Sequence, residues 1–213
     1  MNKTVRKQEN GVVMIENKID DGLSYIRRFE RRLGIADGFF ESLYREDDWS
    51  FIIKLHALIE AAAADMIVTS LGRPKLKKAL SRIPLSDATY GKASMLGSLD
   101  VLSSSYVTFI RKLSELRNDA VHNVENTNLN LKSKLEKLDK QQRKSWAKAL
   151  AVSVKGNDQD KIKILLEEPK GIIWISALCL MTQIAINTRL VESEAEVSSL
   201  EKELFRALEE MRS

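Results

Sequence analysis

An unbroken run of helix-forming residues between Asp47 and Gly72 constrains the fold more than any other feature of the sequence. No glycine or proline interrupts it, and its apolar residues recur at helical spacing: Trp49, Ile52, Ile53, Leu55, Ile59, Ala62, Ala63, Met66 and Ile67. Asp47 or Asp48 can cap its first turn, and Gly72 followed by Pro74 can end it. Because so broad an apolar stripe must be covered by other elements, we predict a helical core built around this segment.

Proline and glycine are scarce along the whole chain, with 3 and 9 copies among 213 residues, and this scarcity favours helices over sheets. The predicted fold is all-α. We expect an N-terminal helical extension (residues 1–34), a helical core (35–155) and C-terminal helices (156–213) that pack on the core or mediate dimerisation. Apolar spacing predicts further helices over residues 12–33, 39–44, 89–99, 106–121, 132–154, 161–168 and 171–211, the last as one helix or two.

A repeat of apolar residues marks the C-terminal stretch. It consists of positions seven apart with two leucines between them: Leu190, Val197, Leu204 and Met211, with Leu200 and Leu208. This pattern predicts an amphipathic helix that packs on the body of the protein or pairs with a partner chain. Because the repeat covers only about three heptads, packing on the body is the favoured interpretation.

Charge and hydropathy bound the cellular setting. A net charge of +4 and a pI near 9.1 permit a nucleic-acid partner without requiring one. The single cysteine, Cys179, excludes a disulfide within one chain, which favours a reducing cytosol. The first residues lack the apolar segment of a signal peptide, and the apolar run at 171–186 is short for a membrane span. We expect a cytoplasmic protein with no membrane partner.

Several classes of enzyme are unsupported by the sequence. With 2 histidines and 1 cysteine, no histidine-rich or Cys/His zinc site is expected. The chain also lacks the glycine-rich phosphate loop, the dinucleotide-binding fingerprint and the nucleophile elbow of hydrolases. The predicted cofactor content is therefore none.

The segment RNDAVH, from Arg117 to His122, holds the best candidate site. Arg117 lies four residues after Leu113 and four before Val121, so we expect it on the apolar face of its helix. A guanidinium there needs a carboxylate, an open groove or a phosphate as partner. In a straight helix Asn118 and His122 share a side, whereas Arg117 and His122 lie about 140° apart. They converge only if the helix ends or bends near Asn118, which the asparagine-rich stretch after it favours, or if the arginine side chain sweeps round.

Arginine and histidine without a metal suit ribonuclease-like chemistry. An imidazole that titrates near neutral pH can take the proton of a 2′-hydroxyl or protonate the leaving oxygen. A guanidinium can hold the phosphate and stabilise charge that develops in the transition state. Asn118 can orient either group, and Asp119, three residues before His122, can select its tautomer. The alternative is structural, with Arg117 in a buried ion pair and His122 at a helix end.

The segment ELRNDAVHN resembles the R-x(4–6)-H signature of the HEPN superfamily (higher eukaryotes and prokaryotes nucleotide-binding domains), with asparagine directly after the arginine. Three longer segments resemble the mannitol operon repressor-like branch, over roughly residues 45–125: DDWSFIIKLHALIEAAAADMI, SDATYGKASMLGSLDVL and RKLSELRNDAVHN. One difference is Asp-Ala-Val before the histidine, where that branch has an aromatic residue and alanine.

The resemblance implies an up-and-down helical bundle that forms a homodimer, here with a long C-terminal helix. Active members cut RNA without metal, and their arginine, histidine and following polar residue match Arg117, His122 and Asn118. The implied function is a metal-independent endoribonuclease, in a toxin or phage-defence setting with an antitoxin or regulatory protein as partner. The alternative is a non-catalytic regulatory or interaction protein, since the mannitol operon repressor-like branch is associated with regulation.

Two residues of the long central segment can support the site. His56 and Glu60 are four residues apart, on or beside the apolar stripe. In the functional interpretation, Glu60 faces Arg117 across a groove and His56 lines the same cavity. In the structural interpretation, His56 and Glu60 form a buried pair with each other.

A basic segment follows the candidate site. The residues expected to contact RNA phosphates are Lys132, Lys134, Lys137, Arg143 and Lys144. A solvated helix face is the alternative explanation for such a run of charges. Trp146, in the same segment, is expected in the core.

Overall fold

The structure, a computed structural model, describes residues 19–122 and 128–211, and these residues form helices and no strand. The all-α prediction is confirmed. The helices are α1 (19–33), α2 (Phe39–Leu43), α3 (Asp48–Leu71), α4 (Lys77–Leu80, after a 3₁₀ turn at Pro74–Leu76), α5 (Lys92–Ser98), α6 (Ser104–His122), α7 (Leu131–Glu136), α8 (Lys140–Leu150), α9 (Asp158–Glu167) and α10 (Pro169–Glu210). Residues 12–18 of the first predicted helix and 123–127 of the predicted asparagine-rich loop lie outside the described residues.

Helix α3 is the central element, as its apolar stripe predicts. The side chain of Asp47 caps its first turn by accepting a hydrogen bond from the backbone N–H of Ser50 at 2.9 Å. Gly72 ends it with a φ of +59°, a left-handed conformation that glycine adopts without strain. Helices α10, α6 and α5 pack around α3, and its buried side chains line both of its faces. One hydrophobic core therefore runs from Leu23 in α1 to Ala185 in α10.

Helix α10 is one continuous helix of 42 residues that starts at Pro169, a residue suited to the first helical turn. Its first half packs against α3, and its buried positions extend to Thr188. By length and composition α10 is apolar enough to span a membrane, with a mean hydropathy of 1.5 over 18 residues, but 56% of that window is buried in the fold. Packing against α3 accounts for its apolar character.

The second half of α10 departs from the sequence prediction. From 193 to 211 every side chain is exposed except the half-buried Ser198, so the expectation that the leucine repeat packs on the body is wrong here. The reason is length. Helix α10 is about 63 Å long, whereas α3, with 24 residues, is about 36 Å long and cannot cover it.

The predicted helix over 132–154 is two helices, because the helical conformation is interrupted between α7 and α8. Asp139 accepts a hydrogen bond from the backbone N–H of Gln142 at 2.8 Å, and the Gln142 side chain accepts from the backbone N–H of Asp139 at 3.0 Å. This reciprocal capping box starts a new helix at Lys140.

Candidate functional site

Helix α6 remains helical through His122, in agreement with the helix predicted over 106–121, so it does not end near Asn118. Packing against α3 supports the last turn. The indole N–H of Trp49 donates a hydrogen bond to the carbonyl of Ala120 at 3.0 Å, and Ala120 is buried. That bond satisfies a carbonyl at the helix end, which otherwise has no partner within the helix.

The Arg117 side chain contacts the next residue of α6. Its Nη1 donates a hydrogen bond to Oδ1 of the exposed Asn118 at 3.2 Å. Because Asn118 and His122 are four residues apart on a continuous helix, they share a face of α6. His122 is exposed on it. The hydrogen bond places the Arg117 guanidinium beside Asn118.

The apolar face of α6 is narrower than the sequence suggests. Val121 is 43% exposed, so the stripe does not reach it, while Leu116 and Ala120 are fully buried. Arg117 is half-buried at the border of this face and does not lie within it. Its guanidinium therefore reaches solvent without the buried partner that a core position would demand.

Helix α7 lies beside the last turn of α6. Lys134 Nζ donates to the Asp119 carboxylate at 2.7 Å, and the backbone N–H of Leu131 donates to Asp48 Oδ2 at 2.8 Å. The first contact places a basic side chain at the end of α6, and the second connects α7 to the start of α3. That Asp119 selects the tautomer of His122 remains a prediction.

Glu60 pairs with a residue that sequence reasoning missed. Its carboxylate accepts a hydrogen bond from Lys92 Nζ of α5 at 2.7 Å. Glu60 therefore pairs with Lys92 and not, as the functional interpretation expected, with Arg117. Only 1% of the Lys92 side chain is exposed. Apolar residues one, three and four positions after Lys92 were the available signal that it faces the core.

His56 contacts α6 through Ser114, which sequence reasoning also missed. Its Nε2 lies 3.0 Å from Ser114 Oγ, and that hydroxyl donates to the Ile110 carbonyl at 2.9 Å. A hydroxyl has one proton to donate, so His56 Nε2–H is the donor to Ser114. The predicted His56–Glu60 hydrogen-bonded pair is therefore wrong, because each side chain has a different partner.

Burial lowers the pKa of His56 from its usual 6.5. The charge of Glu60 raises that pKa, and the charges of Arg117 and Lys92 lower it further, so all three act on one imidazole. His56, Glu60 and Lys92 thus form a polar layer beneath the side of α6 that carries Arg117.

The lowered pKa of His56 gives a pH prediction. Below about pH 6.5 the unfolded chain binds a proton at His56 before the folded chain does, so the free energy of unfolding falls with acidification until pH drops below the folded-state pKa. His56→Gln retains a donor for Ser114 without titrating. Between pH 7.5 and pH 5, urea unfolding should show a smaller decrease in the free energy of unfolding for this variant than for wild type. Equal losses in the two proteins would contradict the assignment.

The five predicted RNA-contacting residues do not form one stripe. Lys134 and Lys144 pair with Asp119 and Asp158, and Arg143 donates to the Glu136 carbonyl. The remaining two are exposed, but they line different cavities: Lys132 faces Glu167 and Glu168, whereas Lys137 lies with Lys134 in a cavity of about 480 Å³. Lys134 is thus the predicted cation that contacts the end of α6, through Asp119.

Asn118 and His122 are exposed. Arg117 and His122 do not line five of the cavities on the described part of the protein, the largest of which, about 960 Å³, lies between α1 and α10. Within residues 19–122 and 128–211, no three histidine, cysteine, aspartate or glutamate side chains cluster as metal ligands would. Trp146 is buried, as predicted, with Lys112 Nζ 5.0 Å from its ring centre.

No family model, curated protein or solved structure matches this chain. Its function is therefore inferred from the residues at the end of α6 and their surroundings.

Proposed function

We propose that this protein is a metal-independent endoribonuclease of the HEPN type, with its active site on the last turn of α6. The observation that carries the proposal is the hydrogen bond from the Arg117 guanidinium to Asn118, a residue that shares its face of α6 with the exposed His122. A cation and an imidazole on one exposed surface can engage a phosphodiester without a pocket, as a long RNA strand requires.

In the proposed reaction, the His122 imidazole accepts the proton of the ribose 2′-hydroxyl. The 2′-oxygen then forms a bond to phosphorus, and the bond from phosphorus to the 5′-oxygen breaks as that oxygen takes up a proton from water. The products are a 2′,3′-cyclic phosphate and a 5′-hydroxyl. Arg117 stabilises the negative charge on the phosphoryl oxygens, and Asn118 positions the guanidinium.

The proposed substrate follows from the neighbouring charges. Lys134 of α7 pairs with Asp119 at the end of α6, and Lys137, just after α7, shares a cavity with Lys134, so that these two lysines supply positive charge for the RNA strand beside the cleaved bond. The proposal includes a cytoplasmic homodimer in a toxin or phage-defence setting, held inactive by an antitoxin or regulatory protein.

A cleavage assay tests this function. The purified protein is incubated with a panel of single-stranded and structured RNAs in the presence of EDTA, and cyclic phosphate ends are measured. We expect cleavage by wild type and a loss of about 10²–10³-fold in Arg117→Ala, the usual effect of removing a group that stabilises transition-state charge. Arg206→Ala, an exposed arginine on α10, is the matched control and should retain full activity. Absence of cleavage by wild type on every RNA would remove the proposal.

A second candidate function is a non-catalytic regulatory protein of the mannitol operon repressor-like kind. The continuity of α6 favours it, because a straight helix sends the side chains of Arg117 and His122 out about 140° apart. This function predicts that Arg117→Ala lowers the melting temperature or alters the oligomeric state without any cleavage to lose. A thermal melt and a sizing experiment on the same variant therefore separate the two candidates.

A further inference from the structure

The free half of α10 carries an apolar stripe that no other part of the described chain covers. Over residues 193–211 the helix extends beyond the body, and its large apolar side chains lie mostly in solvent: Val197, Leu200, Leu204, Phe205, Leu208 and Met211. Leu200 and Leu204 are 65% and 60% exposed. Contiguous exposed apolar surface of this kind marks an interaction site.

Acidic residues flank this stripe on both sides. Counting heptads from Val197 as position a, Leu200 is d and Leu204 is the next a. Glu194 and Glu201 occupy the first two e positions and Glu196 and Glu203 the first two g positions; the third e position is Leu208 and the third g position is Glu210. In coiled coils these positions border the apolar seam and set the choice of partner.

The charge distribution of this half differs from that of the whole protein. Residues 193–211 hold six glutamates and two cations, Lys202 and Arg206, whereas the full chain carries a net charge of +4. Both cations lie away from the e and g rows, at positions f and c of the repeat. Five of the six e and g positions in this half are therefore glutamate, including the four around Val197 and Leu200.

We propose that the free half of α10 is a docking surface for an amphipathic helix of another protein whose apolar seam is flanked by lysine or arginine. Its acidic rows select this partner and reject two others. Parallel pairing with a second copy places Glu196 opposite Glu201 of that copy, and antiparallel pairing places e against e and g against g, again glutamate against glutamate. An anionic membrane surface repels the same rows.

The continuity of α10 makes this surface ready to bind. An isolated helix of about 19 residues is marginally stable in water, but this one extends from a half that is already packed against α3. Helix nucleation is thus complete before the partner arrives. Because the helix is already formed, binding of the partner costs little conformational entropy on this side of the interface.

A peptide-exchange experiment tests the inference. The probe is a fluorescent four-heptad peptide with leucine at a and d and lysine at e and g, and its control has glutamate at e and g. At about 0.15 M salt, where pairs in contact still interact, fluorescence anisotropy with the full chain should show at least tenfold tighter binding of the lysine peptide. Leu204→Ser keeps every charge of the docking surface and should weaken that binding at least tenfold.

A charge reversal provides the decisive variant. Replacing Glu194, Glu196, Glu201 and Glu203 by lysine should invert the preference, so that the glutamate peptide binds tighter. All four side chains are exposed, so circular dichroism and the melting temperature should match wild type. Equal binding of both peptides, or retained preference after reversal, overturns the inference. So does self-association of wild type at pH 7 that Leu204→Ser abolishes, or binding to phosphatidylserine vesicles that the same variant abolishes. Arg117 and His122 are untouched, so these outcomes are independent of nuclease activity.

Discussion

The His122→Ala variant should cleave RNA about 10²–10⁴-fold more slowly than wild type, the range that a positioned proton-transfer group contributes. The imidazole is exposed on the last turn of α6, so its removal leaves no cavity. We therefore expect the free energy of unfolding to change by no more than about 0.5 kcal/mol. Single-turnover cleavage rates and a denaturant melt measure the two quantities on the same preparation.

Val121→Ala is the matched control for this prediction. Val121 is the neighbouring residue on the same turn and is also exposed, so its truncation should leave both rate and stability unchanged. If His122→Ala and Val121→Ala cleave at equal rates, His122 takes no part in the chemistry. If His122→Ala loses activity and stability together, its role is structural.

The Glu60→Ala variant should lose about 3 kcal/mol of the free energy of unfolding, because the substitution leaves the buried Lys92 ammonium without its partner. The value lies at the lower end of the range for broken buried pairs since Glu60 itself is partly exposed. For a chain of this size such a loss lowers the melting temperature by roughly 6 to 12 °C. Urea unfolding and calorimetry both measure it.

A double variant separates the unpaired charge from lost packing. Glu60→Leu combined with Lys92→Met removes both charges and keeps similar volume, so it should recover most of the stability that Glu60→Ala loses. Recovery identifies the buried ammonium as the cause. A double variant that is as unstable as Glu60→Ala would show that the ion pair is not what stabilises the contact between α3 and α5.

The elements that the sequence predicts well are those whose signals are local. The run after Asp47 has an apolar stripe, a capping residue and a glycine stop, and helix α3 begins and ends where these signals place it. The break between α7 and α8 was missed, although Asp139 and Gln142 have the spacing of a capping box. The pattern of basic and apolar residues continues across residues 137–139, so it predicted one helix despite the capping-box spacing.

Local sequence signals could not predict which side chains pair with each other around the candidate site. Glu60 was expected to meet Arg117, but Lys92 enters from α5, a helix whose position relative to α3 depends on the packing of the whole core. A second contact at the end of α6 was also beyond local signals: the Trp49 indole, from a segment about seventy residues away, donates a hydrogen bond to the carbonyl of Ala120.

The amino-acid sequence by itself determined that the chain is helical, where α3 begins and ends, and that Arg117 and His122 lie five residues apart in a helical segment. These properties follow from periodicity and from side chains that act on their own turn. Only the tertiary structure decided that Trp49 binds the carbonyl of Ala120, that Lys92 neutralises Glu60, and that half of α10 stays uncovered. Those outcomes depend on distances between helices and on their relative lengths, which arise when the whole core packs.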